Sequence, residues 1–215
     1  MPPPETSPYR LLVEGKDDLN SVVHLLKRHN YNWDNASLTR PYIAAHGGVA
    51  DLLEALPVTA KGSYSRVGVV LDADLSPSDR WEQLRQRMQS VSVALPEAPD
   101  PKGTVLAGIR PGTRLGFWLM PDNRSSGTLE GFLADLVPAE NMPWLYADEA
   151  TKEGRRRGAA CKEKDHLKSQ LHTWLAWQET PGIPFGTALT AQVFRHDSES
   201  ANKFVDWFRA LFVDP

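Results

Sequence analysis

The chain has 215 residues, 41% hydrophobic and 24% charged, with a formal net charge of −3. That length suits one substantial α/β core with room for a helical extension, and the composition is ordinary for a soluble globular protein. No apolar run approaches the ~20 residues of a membrane-spanning helix, and the single cysteine, Cys161, excludes an internal disulfide framework or a Cys-rich zinc site.

The opening Met1-Pro2-Pro3-Pro4-Glu5 lacks the basic start and apolar core of a secretory signal. It reads as a short disordered lead over residues 1–8, and with the lone cysteine it sets the expectation of a cytoplasmic protein. Tyr9-Arg10-Leu11-Leu12-Val13 then forms an apolar run that stops at Glu14-Gly15. Behind it Leu19, Val22, Val23 and Leu26 recur at helical spacing, so the pattern is strand, tight turn and helix, with Asp17 or Asp18 as N-cap and an end near His29. Glu14, at the end of the strand, caps nothing obvious, whereas Asp18 is open to a capping explanation.

Pro41 to Ala45 predicts a second strand, followed by His46-Gly47-Gly48 and a helix ending at Pro57. The two glycines suit either an ordinary turn or a close approach to phosphate, and His46 reads as a turn residue. The third strand is the most distinctive stretch, Arg66 to Leu71 followed by Asp72-Ala73-Asp74. An unalternating apolar run suits a parallel strand covered on both faces, and ligands of open α/β sheets gather beyond the carboxyl ends of such strands. If the strand geometry persists past Leu71, Asp72 and Asp74 point to one side and can share a hard cation such as Mg²⁺. The alternative reading is a helix-capping Asp beside a solvated one.

Ser76-Pro77-Ser78-Asp79 starts a helix that buries Trp81, Leu84 and Met88, with Arg80 lying off that face. A short strand near Val105 to Ala107 precedes a stronger one over Arg114 to Met120, and Thr128-Leu129-Glu130 opens another helix. Glu130 in its first turn fits a helix-dipole partner or a further rim carboxylate.

Beyond Pro138 the sequence predicts helices only. Lys152 to Lys168 holds seven basic residues against three acidic ones, a local charge of +4, within which Arg155, Arg156, Arg157, Lys162 and Lys164 are candidate phosphate contacts. A solvated basic helix end explains the run equally well. Helices follow near residues 167–177, 187–194 and 201–212, and the aromatic residues are spaced as packing faces, with none read as a base-stacking platform.

The order strand–Glu14-Gly15, Gly-rich second turn, strand–Asp72-x-Asp74 resembles the Toprim superfamily. The stretch Glu14-Gly15-Lys16-Asp17-Asp18 is most similar to the OLD-type nuclease variant, and later segments, Gly116 to Asn123, Gly127 to Glu130 and Trp174 to Gln178, to a small standalone Toprim-related group. The resemblance covers roughly Tyr9 to Leu136 and implies a Toprim/Rossmann-like, mostly parallel sheet flanked by helices over residues 9–137, with a helical extension over 138–215 packed on the same domain. It further implies Mg²⁺ or Mn²⁺ held by Glu14, Asp72 and Asp74, with Asp18 and Glu130 toward a second ion, Glu14 as ligand or general acid/base, and Lys168 as a catalytic lysine facing the basic run.

The chain lacks a topoisomerase cleavage domain, primase extensions and a Walker A sequence. A metal-dependent nuclease acting on DNA or RNA is the expectation. Its alternatives are a binding module working with a separate ATPase partner, or a haloacid dehalogenase-like phosphatase with Asp72 as nucleophile.

Overall fold

The computed structural model describes residues 5–35 and 39–213, so the disordered lead expected over residues 1–8 falls partly outside the described residues. Five strands, β1 (Tyr9–Val13), β2 (Tyr42–Ala45), β3 (Arg66–Asp72), β4 (Thr104–Ala107) and β5 (Arg114–Met120), form one sheet ordered β2-β1-β3-β5-β4. All neighbours are parallel except β4, which runs antiparallel to β5 at the edge. The architecture is the expected Rossmann-like mixed α/β fold. β1 is buried along its whole length and β3 along all but its last residue, as a centre covered on both faces requires.

Two apolar layers sandwich the sheet. On one face Leu12, Val67, Val69 and Leu71 pack under α2 (Val49–Lys61) and α3 (Pro77–Gln89). On the other, Leu11, Val13, Val70 and Trp118 share a core with α1 (Lys16–Arg28), α4 (Leu129–Asp135), α5 (Met142–Arg156), α6 (His166–Ala176), α7 (Phe185–Thr190) and α8 (Glu199–Phe212). The later helices thus belong to the same core as the strands. α8 lies directly on the sheet. Arg66 donates to the terminal carbonyl of Leu211 at 2.9 Å, and the Trp207 indole N–H reaches the Thr104 carbonyl at 3.2 Å. Gly68 and Gly116 are register partners on β3 and β5, and a methyl group on Gly116 would stand 2.4 Å from a Leu211 methyl. The absence of side chains there is what lets the helix approach.

Three local expectations change. α2 runs through Pro57 to Lys61 because Leu56 and Ala60 stay buried on the same face, outweighing a helix-breaking cost of about 3 kcal/mol. α5 adds to the expected helices; it buries only Ala147 and Thr151, so its apolar periodicity is weak. Arg80, expected off the buried face of α3, is 8% exposed.

Overfilling the β3–β5–α8 contact gives a first prediction. Gly116→Ala should lower unfolding free energy by about 1–3 kcal/mol in urea titration. A variant as stable as the parent would mean that α8 shifts freely on the sheet.

Candidate functional site

The carboxyl rim of the parallel strands brings five carboxylates, Glu14, Asp17, Asp18, Asp72 and Glu130, to one open cavity of about 400 Å³ that Lys168 also lines. Three of them, Glu14, Asp18 and Asp72, are placed by backbone N–H groups. Glu14, just past β1, accepts from the Asp72 N–H at 2.8 Å and ties the ends of two adjacent strands. Asp72 in turn accepts from the Leu129 N–H at 2.9 Å, one of the free donors at the start of α4. Asp18 is the third residue of α1, not its N-cap as expected. Its carboxylate reaches back to the Gly15 N–H at 3.0 Å, with Gly15 itself at the cap. Glu130 accepts from the Thr128 hydroxyl at 2.6 Å and pairs with Lys168 at 3.0 Å, so Lys168 faces the acidic cavity, not the basic run.

Crowding acids in a half-buried site separates the proton affinities of the four that are at least partly buried. Burial first, then the charges of Glu14, Asp18 and Glu130, pushes Asp72 up to about 8. Burial, with Glu14 next, raises Asp18 to about 7. Glu14 is also raised by burial, against the pull of the Asp72 N–H and of Arg80. Burial acts the same way on Glu130, but the Thr128 and Lys168 hydrogen bonds overcome it and hold this carboxyl below its ordinary range. The same contact raises Lys168.

Asp74 does not join the cavity. β3 ends at Asp72, and Asp74 has φ of 53°, in the left-handed region, so the alternation that would align it with Asp72 is broken. Its backbone forms a paired bridge with Gly127 (2.8 and 2.7 Å), and its carboxylate pairs with Arg80. Arg80 also donates to the Asp72 carbonyl at 2.9 Å, standing as a buried cation behind the acids. The arginine run is occupied as well: Arg155 pairs with Glu163, and Arg156 and Arg157 both pair with Glu153. Lys162 and Lys164 are exposed and carry no ion pair among the described residues.

Two residues bear on the site more than their place in the sequence suggests. His46, expected to be a plain turn residue, lines the cavity, and its buried Nε2 has no hydrogen-bond partner among the described residues. Its position after β2, at the same rim as Glu14, was the available signal. For Arg80 the helical spacing pointed away from the site.

This geometry spans nearly the whole chain that a family comparison recognises. The chain belongs to the DUF3226 family. The model of that family, described as a protein of unknown function, matches residues 8–213, which takes in every strand and every cavity residue of this DUF3226 member. No curated protein and no solved structure matches it.

An all-carboxylate donor set suits a hard divalent cation, and the burial and neighbouring like charge that raise Asp72 and Asp18 are costs that such a cation would relieve. The set is not preformed: among the described residues no three His, Cys, Asp or Glu side chains are gathered closely enough to hold an ion. Glu14, Asp18 and Asp72 lean instead on backbone N–H groups. The donor chemistry therefore fits, with side-chain rearrangement required on binding.

Asp72 and Asp18 bind protons more tightly folded than unfolded, where an aspartate has its usual value near 3.8. The folded chain then carries more protons between pH ~4 and ~8, so metal-free stability should fall as pH rises through that window. Asp72→Asn should raise metal-free stability at pH 8 by on the order of 1–3 kcal/mol and flatten the slope, as read by thermal melts across pH. A melting temperature lowered by the substitution at pH 8 would contradict the cost of holding a charged Asp72 in this buried, acidic place.

Proposed function

We propose that the chain is a Toprim-like, Mg²⁺- or Mn²⁺-dependent phosphodiester hydrolase acting on nucleic acid. The observation that carries this reading is the convergence of Glu14, Asp18, Asp72 and Glu130, with Lys168, on one cavity at the carboxyl rim of a parallel sheet. Glu14, Asp72, Asp18 and Glu130 would hold the cations. A divalent cation in such a site lowers the pKa of bound water and offsets charge on a scissile phosphate. Glu14 keeps one oxygen on the Asp72 N–H and, with its raised proton affinity, is suited to take up or return a proton at the other. Lys168 places a fixed positive charge at the mouth, where it can meet a phosphate oxygen while its contact holds Glu130 ionised.

Exposed Lys162 and Lys164 would contact backbone phosphates, and the paired arginines can exchange their acids for phosphate because exposed ion pairs contribute little. The single free cysteine, Cys161, is in keeping with a cytoplasmic setting. Among the described residues no helix is long and apolar enough to cross a membrane.

The absence of a gathered ligand set favours one second reading, a binding module that serves a separate ATPase partner with its acids structural. A haloacid dehalogenase-like phosphatase is disfavoured, because Asp72 closes the third strand in chain order and its Oδ1 is committed to the Leu129 N–H.

Incubation with single- and double-stranded DNA and RNA under Mg²⁺ or Mn²⁺ tests the hydrolase. Cleavage should fall at least about 100-fold in Glu14→Gln and Asp72→Asn and by a similar factor in Lys168→Ala. Undiminished cleavage in Asp72→Asn would sink the metal assignment, and no cleavage by the parent with any metal would favour the binding module. Separately, Lys162→Ala with Lys164→Ala should reduce the slope of log affinity against log salt by up to about 2. An unchanged slope would remove these lysines from the interface.

A further inference from the structure

α5 and α6 carry a surface that the hydrolytic site does not use. Met142, Leu145 and Tyr146 lie at helical spacing on the outer side of α5 and are 70%, 54% and 61% exposed. Trp177, closing α6, is 45% exposed. Tyr146 and Trp177 stack at 5.5 Å between centroids and 22° between planes, whereas the neighbouring Trp144 turns inward onto buried Trp174. An aromatic pair ordered by stacking, yet this open to water, is unlike the packing role expected for these residues.

The two helices run antiparallel, fixed by Arg155 on His166 at 2.8 Å near one end and Gln170 on the Trp144 carbonyl at 3.2 Å nearer the other. At the end where α5 gives way to α6 lies the run with local charge +4, and there Lys168 meets the acidic cavity. At the other end lies the Tyr146–Trp177 pair, about 13 Å from Lys168 along α6 at about 1.5 Å per residue. One helix pair therefore presents positive charge beside the cavity and stacked rings beyond it. This combination complements a ligand with a phosphate backbone and exposed aromatic faces.

We propose that Tyr146 and Trp177 form a stacking platform for unpaired bases, making single-stranded nucleic acid the substrate class of this site. The inference rests on the nucleic-acid part of the reading above. Bases in a duplex hide their faces against neighbours, so only a strand with free bases can use the platform, while phosphates of the same strand meet the basic end of the helix pair. Met142 and Leu145 extend the apolar floor beside the rings.

The test is binding of fluorescently labelled single-stranded DNA and RNA oligonucleotides, read by anisotropy in EDTA so that no cleavage is needed. Tyr146→Ala with Trp177→Ala should weaken binding at least about tenfold without changing its salt dependence, because bases and not phosphates are lost. Tyr146→Phe with Trp177→Phe should keep most of the affinity, and both variants should melt like the parent. Parent binding should also exceed that for a duplex of the same sequence. Unchanged affinity in the double alanine variant, equal preference for duplex, or a parent dimer in sedimentation that the double alanine variant dissociates would each overturn the platform. Loss of the platform with metal-dependent cleavage intact would leave the hydrolase standing. Base-dependent binding without cleavage would do the reverse.

Discussion

Asp72 is held from three sides, and the rim of the sheet is arranged around it. Its N–H is taken by Glu14, its carboxylate by the Leu129 N–H, and its carbonyl by Arg80. These contacts tie the end of β1, the start of α4 and the first turn of α3 to the end of β3. The geometry carries an electrostatic cost, since it brings Asp18 and Glu130 up to the same cavity and forces like charges together in a half-buried space. Much of the local chemistry follows from how the chain answers that repulsion.

The answer is uneven. Lys168 neutralises Glu130, and Arg80 sits behind the cluster, engaged with Asp74 and felt at Glu14. Among the described residues Asp72 and Asp18 pair with no cation, and burial together with neighbouring like charge makes them hold protons to about 8 and 7. A site that holds protons at neutral pH is one in which a divalent cation has something to replace, because charge neutralisation by the ion and by protonation compete for the same oxygens. The backbone N–H groups that now receive the carboxylates keep them ordered without such an ion.

Legibility followed the range of the interaction concerned. Glu14 and Asp72 could be read because an unalternating apolar run that stops at an acid marks a buried parallel strand and its rim. Asp18 and Glu130 were legible as first-turn acids of helices that start at the same rim, although sequence alone left a capping role open. Asp74 misled because the i, i+2 rule holds only while the backbone stays extended, and the bridge to Gly127 bends it out of line. His46 and Arg80 escaped notice for the same kind of reason: what they face is set by distant segments. Tyr146 and Trp177 have apolar side chains that look like core until the packing of α5 on α6 turns them outward.

The alternation of strand and helix, the mostly parallel sheet and the placement of acids at strand ends were written in the chain itself, because these depend on local periodicity and on which residues can be buried. Which acids share a cavity, which of them gain a cation and which aromatic faces remain open are settled by the packing of the folded chain. Those outcomes depend on where β3, α4 and α6 meet in space, and contacts between residues as far apart as Glu130 and Lys168 leave no periodic trace along the chain.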